Sequence, residues 1–269
     1  MSRVRTASVW LLAILFAASL AAFFASLSAA QLTSEGTGER ILRRAVLIST
    51  GLDASLPGIE AKVSDEGAAQ STLQVPDFPI AVQLSQEEAQ TLTTAQLREV
   101  ILGRSAQALY DDGGAAWVSG DPQATRSLQR LSAAGVLNSG LGRIDGSTHS
   151  VLLVLTVLLG IITLGLAVAL FIAVPWDGRL LVLGGAGLLA SLPLLAAAVA
   201  LRFAFRTAGP DSDPFVNGLF DIGADGMWVP IRNYFTLAVV SLGLLSIGSA
   251  LLWWEARHVG IEQRPAAEP

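Results

Sequence analysis

The chain has 269 residues, of which 52% are hydrophobic and 14% are charged, and its formal net charge is -5 at pH 7. This composition is more apolar than that of an ordinary soluble domain and predicts membrane-spanning segments. The sequence contains no cysteine, which excludes disulfides, thiolate metal sites and cysteine nucleophiles. Because the net charge is acidic and no basic run occurs, nucleic acid is not expected as a partner.

The N-terminal segment, residues 1–30, is predicted to form the first transmembrane helix. Two arginines precede an uncharged apolar run over residues 9–27, which is longer than the roughly 7–15 apolar residues of a signal peptide. The small residues Ser28 and Ala30 leave a cleaved signal peptide as the alternative. Either interpretation places the residues that follow outside the cytoplasm.

Residues 31–148 form the one polar region large enough to be a domain, and we predict that this domain is extracytoplasmic and mainly helical. Residues 33–49 carry three arginines among apolar residues. This pattern suits a helix that continues out of the first span, with its arginines near the outer lipid surface. Between residues 73 and 84, two prolines interrupt an apolar pattern, which favours an extended edge or a segment outside a strand ladder.

The clearest helix signal in this domain is a capping box formed by Ser85 and Glu88, in which each side chain satisfies a backbone amide at a helix start. A short helix is therefore predicted to begin at Ser85. Two further helices are predicted, from Thr93 or Thr94 to Gly113 and from Asp121 to Gly140.

Residues 149–201 are predicted to form a transmembrane hairpin, spans 2 and 3. Two uncharged apolar arms, residues 150–174 and 180–201, are separated by a turn of only five residues. Each arm reaches the roughly 20 residues that a helix needs to cross a bilayer core. In lipid, every backbone amide and carbonyl must be paired within the segment, so these arms are expected to be helices.

The rest of the chain is predicted to comprise a short external loop at 202–232, a fourth transmembrane helix at 233–254 and a disordered cytoplasmic tail at 255–269. The loop carries four aspartates that are weak calcium candidates, because calcium takes several carboxylate oxygens. They are Asp211, Asp213, Asp221 and Asp225. Their spacing is not that of an EF-hand, and simple solvation of the loop is the alternative interpretation.

The sequence therefore predicts an all-α integral membrane protein with four transmembrane helices. Arginines are biased towards one side of the membrane, which indicates cytoplasmic N- and C-termini. Aromatic residues that prefer the headgroup level support this orientation. The predicted interfacial anchors are Trp10, Trp176, Arg179, Trp253 and Trp254. Because the chain is rich in alanine, arginine, glycine and leucine, we expect a bacterial inner-membrane protein.

The apolar segments of the four spans, residues 9–27, 150–174, 180–201 and 234–254, contain no aspartate, glutamate, lysine, arginine or histidine. This absence argues against autonomous ion-coupled transport. The spans instead contain small residues at helical spacing, which allow helices to approach closely in lipid. The predicted helix-packing positions are Gly184, Gly185, Ala186, Gly187, Ala190, Ser191, Gly243, Ser246, Gly248 and Ala250. They serve either the internal packing of the bundle or the docking of another subunit.

The plan of four spans with a large first external loop is similar to that of claudin-type tetraspan proteins. Those proteins carry a tryptophan and cysteine signature in the first loop, and this chain lacks cysteine. The sequence therefore assigns no family.

We expect a non-enzymatic accessory, scaffold or interaction subunit that binds a membrane or envelope partner through its extracytoplasmic domain, with no catalytic residue and no cofactor. A homo-oligomeric pore or small-solute conduit is the alternative. Its polar lining would come from Thr156, Thr163, Ser191, Ser241, Ser246 and Ser249. A hydrolase is the third hypothesis, and it would need two carboxylates that face one cleft.

Overall fold

The structure is a computed structural model that describes residues 3–50, 52–53, 56–57, 72–74, 78, 80–113, 116, 143–208 and 214–262. These residues are almost entirely helical. The helices are α1 (Arg3–Leu32), α2 (Glu35–Thr50), α3 (Gln86–Thr91), α4 (Thr94–Asp112), α5 (Gly146–Ala173), α6 (Arg179–Thr207), α7 (Pro214–Gly226) and α8 (Trp228–Glu262). Two short strands, β1 (Thr72–Gln74) and β2 (Gln83–Ser85), lie between α2 and α3, and a 3₁₀ turn at Trp176–Gly178 joins α5 to α6.

Four segments are long and apolar enough to cross a membrane, which confirms the prediction of an all-α chain with four such helices. They are Ala7–Leu32, Gly146–Ala173, Arg179–Thr207 and Phe215–Arg257. The prediction of a disordered tail was wrong as far as Glu262, because α8 continues to that residue. Glu255, Ala256 and Arg257 are good helix formers, and extending an existing helix costs little. Residues 263–269 lie outside the described part.

The chain divides into two compact units, each described here by itself. Unit 1 comprises Met1–Ser28, Leu153–Arg202 and Met227–Pro269, and unit 2 comprises Ala29–Leu152 and Phe203–Gly226. Unit 2 thus includes residues 203–226, which the sequence had assigned to a separate short loop. Most of the described residues in that loop are helical, within α6, α7 and α8.

In unit 1, α6 and α8 approach so closely that glycine is needed at the contact. A Cβ added at Gly184 would lie 2.7 Å from the backbone oxygen of Ser241 and 2.9 Å from the backbone nitrogen of Leu245. A Cβ added at Gly187 would collide with the side chain of Ser241. In lipid, the hydrophobic effect contributes little to helix association, so helices associate largely through van der Waals packing. Close contact between the two helix backbones provides this packing.

Hydroxyl pairs join α1 to α5 within unit 1. Ser19 Oγ lies 2.7 Å from Thr163 Oγ1, and Ser26 Oγ lies 2.8 Å from Thr156 Oγ1. Both pairs are spaced by two helical turns, so they lie along one seam. Asn233 of α8 donates to Ser28 Oγ at 2.9 Å. These hydrogen bonds satisfy polar groups that would be costly to leave unpaired in lipid.

The core of unit 2 is built around α2, which packs on α4 and on α7. Leu42, Ala45 and Val46 of α2 are almost completely buried. At the contact with α7, a Cβ added at Gly218 would lie 2.5 Å from Ile48 Cδ1. Buried side chains from the other elements complete this core, among them Ile80, Val82, Leu84, Leu97, Ile101, Leu109 and Ile222.

The two strands of unit 2 pair antiparallel, with Leu73 opposite Leu84. The sequence predicted an extended segment here but preferred an edge or a segment outside a ladder. The structure differs in that both ends of the segment join in one short ladder. The two prolines that suggested otherwise, Pro76 and Pro79, lie outside the described residues.

Two of the three helix starts predicted in unit 2 are confirmed. Ser85 caps α3 in a capping box with Glu88, and Thr93 caps α4 in a second box with Gln96. Helix α4 ends at Gly113, whose φ of 64° is a conformation that residues with a Cβ rarely adopt. The helix predicted from Asp121 lies outside the described residues.

The contact at Gly184 predicts a sharp difference between two neighbouring substitutions. Gly184→Ala should reduce the free energy of unfolding by about 1–3 kcal/mol, because the added methyl group meets the backbone of α8. Gly185→Ala is the matched control, since a Cβ at Gly185 meets no atom within 4 Å. The free energy of unfolding of both variants is measured by titrating the detergent-solubilised protein with sodium dodecyl sulfate. Equal losses for the two variants would contradict the proposed contact.

Candidate functional site

The candidate site is a shallow groove on unit 2 that is lined mainly by charged side chains. We call it the charged groove. Its lining residues are Glu39, Arg43, Glu88, Glu99, Val100, Gly103, Arg104 and Gln107. Helix α2 supplies the first two residues, α3 supplies Glu88, and α4 supplies the rest.

The capping box of α3 fixes one end of the charged groove. The backbone nitrogen of Ser85 donates to Glu88 Oε2 at 2.9 Å, and the backbone nitrogen of Glu88 donates to Ser85 Oγ at 3.2 Å. Arg104 donates to both carboxylate oxygens of Glu88 at 2.6 and 3.0 Å, and also to the carbonyl of Gln83 at 2.5 Å. The hydrogen bonds from Arg104, followed by that from Ser85, lower the pKa of Glu88 to about 2.

Arg43 occupies the other end of the charged groove. Its Nη1 donates to Glu99 Oε1 at 2.5 Å, and its Nη2 lies 3.9 Å from Glu39 Oε2, one helical turn earlier. The Nε of Arg43 is buried and has no hydrogen-bond acceptor in the part of the chain that the structure describes. An unpaired buried donor is uncommon and offers a hydrogen bond to an acceptor that can reach it.

Three glutamates thus line one groove, which is the arrangement that the hydrolase hypothesis requires in outline. Each of them is paired with an arginine. A general acid needs a raised pKa, whereas Arg104 holds the pKa of Glu88 well below its usual range. The groove is therefore suited to binding a polar surface with charges of both signs.

A second polar cluster in unit 2 ties together the end of α1, the end of α4 and the start of α5. His149 Nδ1 lies 3.0 Å from the carbonyl of Ala30, so this nitrogen carries the proton. Tyr110 donates to the carbonyl of Thr33 at 3.0 Å. Burial, followed by nearby carboxylates, raises the pKa of Tyr110. Each of these groups has a local partner, which indicates a structural role.

The predicted helix-packing residues fall into two groups. Gly184, Ala186, Gly187, Ala190, Ser191 and Gly248 are buried within unit 1, whereas Gly243, Ser246 and Ala250 are exposed on α8 and Gly185 is half-buried. The contacts differ accordingly. A Cβ at Gly248 would lie 3.1 Å from Leu180 Cβ, but a Cβ at Gly185 or Gly243 would meet no atom within 4 Å.

The predicted interfacial tryptophans are all largely exposed. The exposed fractions are 67% for Trp10, 76% for Trp176, 56% for Trp253 and 61% for Trp254. Arg179 stacks on Trp176 with its Cζ 4.9 Å from the ring centroid, and it donates from Nε to the carbonyl of Val174. The structure also brings Trp176 and Trp254 into the lining of one cavity.

The calcium candidates are only partly described. Asp221 and Asp225 lie on α7, and Asp225 forms an ion pair with Arg44 of α2. Asp211 and Asp213 lie outside the described residues. Within the described part of the chain, no group of three or more histidine, aspartate or glutamate residues is arranged to hold a metal ion. Arg43 and Arg44, which the sequence placed near the lipid surface, pair with carboxylates of unit 2.

Comparison with known proteins gives no information about the function. Comparisons of the chain with protein-family models, curated proteins and solved structures gave no match. The charged groove therefore rests on its own geometry. Sequence reasoning missed it, although the Glu39–Arg43 spacing and the Ser85–Glu88 capping box were visible signals for two of its parts.

The low pKa of Glu88 predicts that unit 2 loses stability in acid. The bonds from Arg104 and Ser85 favour the ionised carboxylate, so their contribution is complete above about pH 4.5 and is lost as the pH falls towards 2. Glu88→Gln retains the capping hydrogen bond but loses the charge. It should be less stable than the wild type by about 0.5–1 kcal/mol at neutral pH, and this difference should disappear near pH 2.

The measurement is the thermal unfolding midpoint of both proteins across this pH range. Glu87→Gln is the control, because Glu87 is an exposed neighbour in the same turn of α3. A difference between wild type and Glu88→Gln that does not change with pH would show that the Arg104 pair is not its source.

Proposed function

We propose that this chain is a multi-pass inner-membrane protein that acts as a non-enzymatic accessory, scaffold or interaction subunit through an extracytoplasmic domain. The observation that carries the proposal is the charged groove on unit 2. A separately packed unit with its own apolar core presents this groove on a surface formed by α2, α3 and α4. Such a surface is suited to recognising a polar partner.

The proposed topology has four crossings, cytoplasmic termini and residues 31–148 outside a bacterial cytoplasmic membrane. The composition of unit 2 supports part of this arrangement. Residues 29–152 and 203–226 belong to one compact unit, and only the hairpin of α5 and α6 separates them in sequence. A hairpin that crosses the bilayer twice returns the chain to the side that it left, as the arrangement requires. The arginine bias and the positions of the tryptophans support the orientation of the chain in the membrane, with both termini in the cytoplasm.

The charge pattern of the groove supports a protein or envelope partner rather than a reaction. Glu99 is 62% exposed although it pairs with Arg43, and exposed ion pairs of this kind contribute little to stability. These side chains can therefore form ion pairs with a partner in place of their present ones. Such ion pairs fix the orientation of a partner and favour one partner over another. The Nε of Arg43 offers a further donor to a partner carbonyl if the side chain shifts.

The pore alternative draws less support from the same residues. Its lining would need six hydroxyl-bearing residues on an open face. Thr156, Thr163, Ser191 and Ser241 are buried within unit 1, whereas Ser246 and Ser249 are exposed on α8. Thr156 and Thr163 are hydrogen-bonded to serines of α1. A pore lined by them would have to break these contacts, which favours the interpretation that the hydroxyls hold the bundle together.

The proposal predicts site-specific crosslinking in native membranes. A photo-crosslinking benzoylphenylalanine at Gln107, an exposed groove position, should give an adduct of defined mass with another protein. The same group at Thr94, exposed on α4 outside the groove, should give little. Glu99→Arg should reduce the adduct at Gln107 severalfold, because it sets a second positive charge beside Arg43.

The yield of the adduct is measured by immunoblotting, and the attached protein is identified by mass spectrometry. The proposal fails if both positions give the same adducts, or if the protein is recovered only as a monomer. Insensitivity of the Gln107 adduct to Glu99→Arg would mean that the groove charges do not select the partner.

A further inference from the structure

Unit 1 contains a cavity whose walls combine two indole rings, an apolar surface and one carboxylate. It lies where the 3₁₀ turn and the start of α6 meet the C-terminal part of α8. Trp176 and Leu180 line one side, and Leu251, Trp254 and Glu255 line the other. Gly248 completes the floor, where its missing side chain lets α6 approach α8.

The position of the cavity along α8 places it at a membrane surface when unit 1 crosses a bilayer. Residues 234–254 are uncharged, and a helix of about 20 residues spans the roughly 30 Å of a hydrocarbon core. Glu255 is the first charged residue after this run. The indoles at its end are therefore at the headgroup level, where tryptophan is favoured.

A carboxylate lines the cavity, and a guanidinium lies next to one of its lining residues. Glu255 contributes the carboxylate to the wall. The Arg179 guanidinium lies outside the lining, with its Cζ 4.4 Å from the ring centroid of Phe171 and 4.9 Å from that of Trp176. Indole faces and a carboxylate attract an ammonium group, as in the aromatic sites that bind amine cations. A guanidinium is an effective partner for phosphate. This combination matches a zwitterionic headgroup in which an ammonium group and a phosphate are close together.

We infer that the cavity binds the headgroup of a phospholipid that carries a primary ammonium, of the phosphatidylethanolamine type. The ammonium group lies against Glu255 and the indoles of Trp176 and Trp254, and the phosphate lies towards Arg179. The acyl chains follow the apolar surface that begins at Leu180 and Leu251. The inference concerns unit 1 alone and does not depend on what the charged groove binds.

The test is a lipid titration of the purified full-length chain, followed by native mass spectrometry. The probes are dioleoyl phosphatidylethanolamine and dioleoyl phosphatidylglycerol, which lacks the ammonium group. The wild type should bind the first more tightly. Glu255→Gln should raise its dissociation constant about tenfold, because a charge-assisted bond is lost, and should leave phosphatidylglycerol binding unchanged.

Three further variants separate the site from general effects. Trp254→Leu keeps an apolar wall but loses the ring, so it should weaken phosphatidylethanolamine binding about threefold to tenfold. Trp10→Leu removes another exposed tryptophan and should have no effect. Glu87→Gln, which removes an exposed carboxylate of unit 2, should also have none. Unchanged thermal unfolding midpoints show that each variant is folded.

Three outcomes would overturn the inference. Equal affinity of the wild type for the two lipids would exclude recognition of the ammonium group. Equal weakening of both lipids by Glu255→Gln would indicate a general change at the membrane surface. Competition by soluble glycerophosphoethanolamine at the same concentration as the lipid would show that a free headgroup, rather than a phospholipid, is the ligand.

Discussion

The buried face of α2 is the interaction on which unit 2 depends. Leu42, Ala45 and Val46 are sealed between α4 and α7, so helices that are far apart in sequence share one core. Because this face is fixed against α4 and α7, the arginines beside it are positioned as well. Arg43 is held beside Glu99, and Arg44 is held beside Asp225. The apolar packing of one helix thus places the charges from which the proposed interaction surface is made.

Unit 1 is held together by a different balance of forces. Helices surrounded by lipid tails gain little from burying apolar side chains, so backbone approach and hydrogen bonds decide the packing. Gly184 and Gly187 supply the approach to Ser241, and the Ser19–Thr163 and Ser26–Thr156 pairs supply the hydrogen bonds. The same small and hydroxyl-bearing residues that suggest a pore in the sequence therefore have an internal structural use.

The sequence predicted those features that are encoded locally. These features depend on residues that are close together in sequence, so the apolar pattern and the capping residues are sufficient to predict them. They are the four apolar helices, the capping box at Ser85 and the helix from Thr93 to Gly113. The sequence could not predict that residues 203–226 join unit 2, because the packing of Gly218 on Ile48 depends on distant parts of the chain. For the same reason it could not separate Gly184, which contacts α8, from its neighbour Gly185, where an added Cβ would meet no atom within 4 Å.

The sequence did not predict the charged groove because the Arg43–Glu99 and Arg104–Glu88 ion pairs join separate helices. The exposure of these pairs also bears on the proposed function. Glu99 and Arg43 are exposed enough that water screens their attraction, so the pair contributes little to the free energy of folding. The α2 core, in contrast, is closed to water. Replacing the Arg43–Glu99 ion pair by contacts with a partner would therefore cost unit 2 little stability. A surface charge pair that is positioned by a core but not needed by it can be exchanged for other contacts without unfolding, which is consistent with the proposed role as an interaction subunit.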